Sequence, residues 1–263
     1  MLKGLYTAYT GMLNEQNRMD ILTNNMANVA TTGFKKEGST SQGFDTVLTY
    51  RIKDMDGNGM WNSAHIGQGT PGVKIGEAYT DYSQGSFRET GNTFDMAISG
   101  SGFFNIEYTN KQGETSTMYT RDGGFTLTKD GYVVTKDGDY LLGQGSGSSG
   151  ARIKVDPTKP AAIDQQGRII QEDKVVATVK LTDFEDYNYL EHYGENFYTP
   201  VEGAKMTETK AGIYSGYLEA SNVQVVQEMV NLISVTRQYE SNQKIIQAYD
   251  ETLDISVNQI GKL

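Results

Sequence analysis

The chain has 263 residues, enough to bury a hydrophobic core in one large domain or two modest ones. It contains no cysteine, which excludes disulfides, thiolate nucleophiles and cysteine-ligated metals, and its formal net charge of −10 argues against general nucleic-acid binding. No segment has an apolar run of signal-peptide or membrane-span length, so we expect neither a cleaved signal peptide nor a membrane span.

The first segment, from Leu2 to about Thr31, has the spacing of an amphipathic helix. Its apolar residues form a narrow stripe that is typical of a coiled-coil seam. The stripe consists of Leu5, Met12, Met19 and Met26, together with Ala8, Leu22 and Val29. Gly4 and Gly11 each weaken a free helix by about 1 kcal/mol relative to alanine, so we expect this arm to be marginal in isolation.

The end of this helix is rich in amides, in the stretch LTNNMANVATTGFKK at residues 22–36. Gly33 follows the periodic segment and reads as an ordinary helix end, where asparagine tolerates the turn conformations. Alternatively, the amides of Asn24, Asn25 and Asn28 hydrogen-bond across a helix interface, where an unsatisfied polar group is costly. The residues alone leave both interpretations open.

The last segment predicts a second and longer helix, since neither glycine nor proline occurs between Glu219 and Ile260. Alternating steps of four and three residues predict one apolar row along it. That row is Val225, Met229, Leu232, Thr236, Tyr239, Gln243, Ile246, Asp250, Leu253, Val257 and Ile260, with a second, shorter row of Val226, Val230 and Ile233. Ser221 or Asn222 is the predicted N-cap. A helix of this length, on the order of 60 Å, requires partners.

The middle of the chain changes to a period of two, which predicts strands. FTLTKDGYVVTKDGDYLLG (125–143) predicts a meander with two Asp-Gly turns, FDMAISGSGFFNIEY (94–108) predicts two strands, and RIIQEDKVVATVKLTDF (168–184) predicts a hairpin. Residues 34–90 have weak periodicity and are predicted to be an extended linker.

These patterns predict an α+β fold, with a mainly-β central core between long N- and C-terminal helical arms. The predicted boundaries are 1–33 for the N-terminal arm, 34–90 for the linker, 91–215 for the β domain and 216–263 for the C-terminal arm.

Two short motifs approach known binding sites without completing them. Asp54, Asp56 and Asn58 have EF-hand spacing, but His65 occupies the position where the closing glutamate belongs, so a turn is the better interpretation. GSGSSG at 145–150 satisfies the dinucleotide-binding expression, but a strand-like ARIKVDP follows it instead of the helix that would hold a pyrophosphate. We therefore predict no metal and no cofactor.

Residues with catalytic chemistry are equally isolated. His65 and His192 lie in unlike contexts without a nucleophile motif, and Asp183, Glu185 and Asp186 read as a solvated acidic loop. We predict no catalytic residue and no enzyme activity.

Three ordered stretches resemble the bacterial flagellar rod and hook proteins, the axial subunits of the basal body, and the resemblance covers nearly the whole chain. GLYTAYTGMLNEQNRMDILTNNMANVATTGFKK is similar to the N-terminal signature of that family. FDMAISGSGFFNI and YTRDGGFTLTKDGYVVTKDG are similar to its central β signatures. GYLEASNVQVVQEMVNLISVTRQYESNQKIIQAYDETLD resembles its C-terminal helix.

The resemblance implies a structural subunit of the basal-body rod that the flagellar type III system exports without a cleaved signal peptide. The subunit would polymerise helically into the hollow shaft that transmits torque and passes exported subunits, with coiled-coil-like inner layers formed by both terminal arms. Its implied partners are other copies, other rod and hook proteins, the export apparatus and the surrounding rings, with no nucleic acid.

The expected assembly interface comprises Leu5, Met12, Met19, Leu22, Asn24, Asn25, Met26, Asn28, Gly33, Phe34, Val225, Met229, Leu232, Tyr239, Ile246, Leu253, Val257 and Ile260.

The stretch IGQGTPGVKIGEAYTDYSQGSFRETGNTFDMAI resembles the distal-rod type, although the proximal type shares much of this pattern. The alternatives are a hook-type axial subunit, a non-polymerising accessory scaffold of the basal body, and a rod component with hydrolase activity towards peptidoglycan.

Overall fold

A computed structural model describes residues 2–52, 63–110, 113–145, 150–194, 196–207, 209 and 211–260. The chain divides into two compact units. The helical unit comprises Met1–Met26, Glu37–Thr80 and Gln224–Leu263, and the β unit comprises Ala27–Lys36 and Asp81–Val223. Both units are therefore assembled from segments that are far apart in the sequence.

The helical unit contains two long helices and four strands. Its elements are α1 (Leu2–Ala27), β1 (Lys36–Gly43), β2 (Val47–Ile52), β3 (Ser63–Gly69), β4 (Val73–Asp81) and α2 (Val225–Ile255), followed by a π-helical turn at Ser256–Ile260. β1 pairs with β4, and β2 pairs with β3 in antiparallel register. Most of the described part of the predicted linker thus forms two strand ribbons, whereas its end, from Asp81, belongs to the β unit. A two-stranded ribbon has no fully buried face, which explains why the sequence there shows no alternation.

The β unit contains the remaining strands. They are β5 (Phe87–Glu89), β6 (Met96–Ser99), β7 (Phe103–Thr109), β8 (Thr115–Thr120), β9 (Thr126–Leu127), β10 (Val133–Val134), β11 (Tyr140–Gly143), β12 (Ala151–Arg152), β13 (Ala162–Ile163), β14 (Arg168–Gln171), β15 (Lys174–Thr178), β16 (Leu181–Phe184), β17 (Leu190–Tyr193), β18 (Phe197–Pro200), β19 (Met206–Thr207), β20 (Gly212–Ser215) and β21 (Tyr217–Glu219). A 3-10 turn lies at Tyr187–Tyr189. An α+β fold with a mainly-β core is confirmed.

A ten-stranded sheet forms the centre of the β unit, with β17-β18-β8-β7-β11-β10-β9 as its main path. The predicted meander is confirmed as β9–β10–β11, in which Gly131 and Gly138 adopt positive φ at the two Asp-Gly turns. The predicted hairpin at 168–184 is confirmed as β14–β15. The two strands predicted at 94–108 exist as β6 and β7, but β6 pairs with β20 and β7 with β8 and β11.

The central strand β7 is covered on both faces. Phe104 and Ile106 belong to the main hydrophobic core, whereas Phe103, which points to the opposite face, packs with Tyr119, Phe184 and Tyr198. The other members of the main core are Met96, Ile98, Phe125, Val133, Leu141, Ile153, Val155, Ile169, Val179 and Ile213. Strands from residue 96 to residue 213 therefore share one core.

Both helices are shorter than their patterns predict. α1 ends at Ala27 rather than near Thr31, and the chain then forms a turn in which the Thr31 N–H donates to the Asn28 carbonyl at 3.2 Å. α2 begins at Val225, with Gln224 at the N-cap and no side-chain capping bond.

The predicted N-caps are wrong because both side chains have other partners. Ser221 Oγ accepts a hydrogen bond from the Val223 N–H at 3.2 Å. The amide of Asn222 accepts from the Lys36 N–H at 2.8 Å and donates to the Asp81 carbonyl at 2.8 Å.

Gly33 brings the chain against the backbone of the β unit. It has a φ of +71°, and a Cβ at this position would overlap the backbone atoms of Arg121 and Asp122. Its N–H donates to the Glu219 carbonyl at 2.9 Å. Glycine is required here for two separate reasons, the left-handed conformation and the close approach.

A Gly33→Ala substitution should lower the free energy of unfolding by more than Gly91→Ala. Gly91 has the same φ of +71°, but no heavy atom lies within 4 Å of the point that its Cβ would occupy, so it isolates the conformational cost of about 1–2 kcal/mol. We expect Gly33→Ala to cost at least about 2 kcal/mol more, because the Cβ meets backbone that cannot rotate away. Urea unfolding followed by near-ultraviolet circular dichroism measures both variants, and equal losses would contradict the close approach.

Candidate assembly surface

The two long helices meet within the helical unit. A Cβ at Gly4 would overlap the hydroxyl of Tyr249, and one at Gly11 would lie 3.0 Å from Nδ2 of Asn242. Moving seven residues forward along α1, from Gly4 to Gly11, moves the contact seven residues back along α2, from Tyr249 to Asn242. The two helices therefore run antiparallel. The glycines thus allow the helices to approach each other closely, a gain that opposes their intrinsic cost to the helix.

The covered face of α2 overlaps only in part with the predicted row. Buried or half-buried positions follow heptad spacing at Glu228, Leu232, Val235, Tyr239, Asn242, Ile246 and Tyr249. The predicted row shares Leu232, Tyr239 and Ile246 with this face. Thr236 is also half-buried, whereas Val225, Met229, Gln243, Asp250, Leu253 and Val257 are exposed, and the side chain of Ile260 lies outside the described residues. Polar Glu228 and Asn242 lie on this covered face, so it differs from the predicted apolar row, which stays a prediction for contacts between subunits.

An apolar strip remains on the outside of α2. The side chains of Val226, Met229, Val230 and Ile233 are 76%, 50%, 56% and 54% exposed. Their spacing places them on one face of the helix. We call these four residues the outer row.

A surface groove continues the outer row towards the C-terminus. It has a volume of about 370 Å³ and is lined by Val230, Ile233, Ser234, Arg237, Gln238 and Ser241. Apolar side chains at one end of the groove and an arginine with small polar residues at the other are the ingredients of a protein-binding surface.

The N-terminal helix also exposes apolar residues. Tyr6, Tyr9 and Leu13 are about half exposed and share one face by their spacing. The predicted stripe lies elsewhere: Leu5, Met12, Met19, Leu22 and Met26 are half-buried within the chain. The stripe therefore packs largely within the chain. The exposed face of Tyr6, Tyr9 and Leu13 was not identified from the sequence periodicity.

Asn25 makes a two-point contact with the backbone of β1. Its side chain is fully buried, its Nδ2 donates to the Glu37 carbonyl at 2.7 Å, and its Oδ1 accepts from the Glu37 N–H at 2.9 Å. The carboxamide therefore pairs with β1 as a neighbouring strand would. Asn24 is exposed and lies 3.5 Å from the Glu37 carboxylate, and Asn28 Oδ1 accepts from the Thr31 hydroxyl at 3.2 Å.

Gly33 and Phe34 are buried in the β unit, with Phe34 only 2% exposed. Next to them, Lys35 is buried with its Nζ 2.5 Å from Glu219 Oε1. Burial lowers the pKa of Lys35, and the Glu219 carboxylate opposes that shift. The Gly-Phe-Lys part of the Thr-x-Gly-Phe-Lys motif is thus buried in the β unit.

Residues with metal-binding or catalytic chemistry are dispersed. Within the described parts of the chain, no three His, Cys, Asp or Glu side chains are grouped so as to hold a metal ion. The EF-hand-like segment at 54–59 and the side chain of His65 lie outside the described residues, as do residues 146–149 of the glycine-rich loop. His192 packs edge-on against Tyr198, with ring centroids 5.4 Å apart.

The acidic residues near the end of β16 have structural partners. Asp183 accepts from the Ser101 and Tyr187 hydroxyls at 2.7 and 2.8 Å. Burial, together with that carboxylate, raises the pKa of Tyr187 to about 12. Glu185 pairs with Lys205, and Asp186 caps the 3-10 turn at Tyr187–Tyr189. Each of these three acidic residues therefore has a hydrogen-bond or ion-pair partner within the β unit.

No helix of the described residues is both long and apolar enough to cross a membrane.

Three family models match successive parts of the chain. Residues 5–35 match "Flagella basal body rod protein", residues 97–171 match "Flagellar hook protein FlgE/F/G D1 domain", and residues 214–260 match "Flagellar basal body rod FlgEFG protein C-terminal". The matched segments include α1, the core strand β7 and α2. The elements that compose the candidate surface are therefore those that the family models describe.

Curated relatives match along the whole chain. The flagellar basal-body rod protein FlgG of Bacillus subtilis is 33% identical over 98% of this chain and 99% of its own length. FlgF of Caulobacter vibrioides is 32% identical over 100% of both chains, and FlgG of Buchnera aphidicola from Acyrthosiphon pisum is 30% identical over 96% of this chain and 98% of its own. The chain belongs to the flagellar basal-body rod protein family.

Proposed function

We propose that this protein is a structural subunit of the bacterial flagellar basal-body rod that polymerises helically through its terminal helices. The observation that carries the proposal is the outer row of α2. Four large apolar side chains exposed on one helix face are costly for a protein that remains alone in water, and association with another copy removes them from it.

The packing within the monomer narrows the surface available for polymerisation. The seam that contains Gly11 and Asn242 is already used between α1 and α2 of one chain. The outer row and the exposed face of Tyr6, Tyr9 and Leu13 remain for contacts between copies. Coiled-coil-like inner layers would then form between subunits through these outer faces, with the internal seam retained.

A structural role is favoured over an enzymatic one. The acidic residues with the strongest claim to catalysis hold loops and turns, as Asp183 does through two hydroxyl groups. The relatives are named rod proteins and no catalytic function is part of those names. A hollow shaft needs repeated contacts, and the outer row supplies one on every copy.

The cellular setting follows from the same assignment. We propose that the chain is exported by the flagellar type III system, lies in the basal body, and contacts other rod and hook proteins, the export apparatus and the surrounding rings. The distal-rod type stays a prediction.

A strain that lacks this chain should form basal bodies whose rods are missing or cut short. Electron microscopy of isolated basal bodies, compared with the same strain expressing the chain again, measures the effect. The level of truncation separates a proximal from a distal position. Intact rods that carry intact hooks would contradict the structural assignment and favour an accessory scaffold.

Replacing Val230 and Ile233 together by serine should prevent efficient rod assembly without unfolding the protein. Serine has a helix propensity close to those of valine and isoleucine, so α2 should persist. Each lost side chain removes about 1 kcal/mol of contact energy, roughly thirtyfold in subunit affinity for the pair. The measurement is the number of complete rods in the deletion strain that expresses the variant.

The matched control is serine at Val175 and Val176, two exposed residues of β15 in the β unit. We expect this control to form rods at the wild-type level. Circular dichroism of both purified variants should show wild-type helix content. Normal rods from the Val230 and Ile233 variant, or equal failure of the control, would contradict a specific role of the outer row.

A further inference from the structure

Three charged side chains are buried together in the β unit. Lys35, Arg121 and Glu219 are 1%, 4% and 1% exposed. Glu219 Oε1 lies 2.5 Å from Lys35 Nζ, and Glu219 Oε2 lies 3.3 Å from Arg121 Nη1. One carboxylate therefore contacts two cations, and we call these three residues the charge cluster.

The remaining contacts of the cluster are with uncharged groups. Lys35 Nζ also donates to the Ser83 carbonyl at 2.8 Å, and Arg121 Nη2 donates to the Gly100 carbonyl at 2.9 Å. The Arg121 guanidinium lies 5.3 Å from the centroid of the Phe103 ring. Without the carboxylate, two like charges would share a buried site, where ions without a partner are strongly disfavoured.

The cluster joins segments from the two ends of the β unit. Lys35 lies in residues 32–36, which we call the N-flank, and Glu219 lies in residues 217–223, the C-flank. The backbone contacts repeat this link, since the Gly33 N–H donates to the Glu219 carbonyl and the Lys36 N–H donates to Asn222 Oδ1. The C-flank is fixed in turn by the pairing of β21 with β5.

We propose that the charge cluster makes docking of the N-flank conditional on docking of the C-flank. Before Glu219 is in place, Arg121 repels Lys35, and the only other anion that acts on Lys35, Asp81 among the described residues, does so more weakly than Glu219. Once β21 pairs with β5, the carboxylate of Glu219 neutralises the site and accepts the Lys35 ammonium group. The cluster is thus a conformational switch that closes the β unit only when both of its ends are present.

The switch acts on the order in which the chain matures. A chain that has not yet delivered residue 219 holds its N-flank, and with it the exit from α1, undocked. The switch operates within one chain and does not depend on rod assembly. It can fail while the proposed function holds, and the reverse is also true.

Amide hydrogen exchange of the purified full chain tests the switch, because it reports on each flank separately. We expect Glu219→Gln to raise exchange at least tenfold at residues 33–36 as well as at 217–223. Exchange in core strand β7 should stay within a factor of two of the wild-type rate. A matched control is Glu107→Gln, which removes a more exposed ion pair with Arg152 and should leave both flanks unchanged.

The double variant Lys35→Met with Glu219→Gln separates coupling from general damage. Methionine fills much of the space of the lysine stem and carries no charge. Amide exchange in the N-flank should therefore be at least tenfold slower in the double variant than in Glu219→Gln, while exchange in the C-flank stays fast. Recovery of this kind supports the switch even if Glu219→Gln alone fails to fold. An N-flank that stays protected in Glu219→Gln, or effects of the two substitutions that simply add, would overturn the proposal.

Discussion

One buried carboxylate determines how the two ends of the β unit come together. Glu219 lies between Lys35 and Arg121, and its carbonyl also receives the Gly33 N–H. The β strands between these ends pack in two hydrophobic clusters, and those clusters do not define where the chain enters and leaves the β unit. The polar contacts of the N-flank and the C-flank supply that definition. The N-flank follows the end of α1 and the C-flank precedes the start of α2, so both helices are linked along the chain to the most buried ion pairs that the described residues form.

The β unit was the most predictable part of the chain. Asp-Gly turns fix the register of β9–β10–β11 through the positive φ of Gly131 and Gly138, and this information is local. The pairing of β6 with β20 was not predictable, because those strands are more than a hundred residues apart and no pattern in either one identifies the other. Local turn chemistry predicts neighbours in the sequence, whereas distant pairing is decided by the shape of the core.

The candidate surface was predictable only in part, for a related reason. Periodicity identified α2 and grouped Met229, Leu232, Tyr239 and Ile246 in one row, but the last three lie on the covered face of α2 whereas Met229 is exposed. The pattern of apolar residues on a helix does not distinguish the face that packs within the chain from a face that binds another protein. Gly4 and Gly11 could have identified the packed face, because two glycines seven residues apart lie on one side of a helix and allow another helix to come close. Asn25 shows the same limit, because the sequence left open a helix end or a hydrogen bond across a helix interface, and neither identifies the backbone of β1 that its amide contacts.

The outer row also has to be compatible with a chain of net charge −10. Like-charged copies repel one another, which favours solubility of the single subunit, and this repulsion is screened within about 8 Å at physiological salt. The attraction between outer rows acts only at contact and grows with the apolar area removed from water. Because charge repulsion opposes apolar attraction, a single contact between two copies is weak. A subunit that contacts several neighbours at once buries enough apolar area to remain bound. If the chain polymerises as proposed, a subunit with these properties would add readily to an existing lattice end and poorly to another free copy, as ordered growth of a shaft requires.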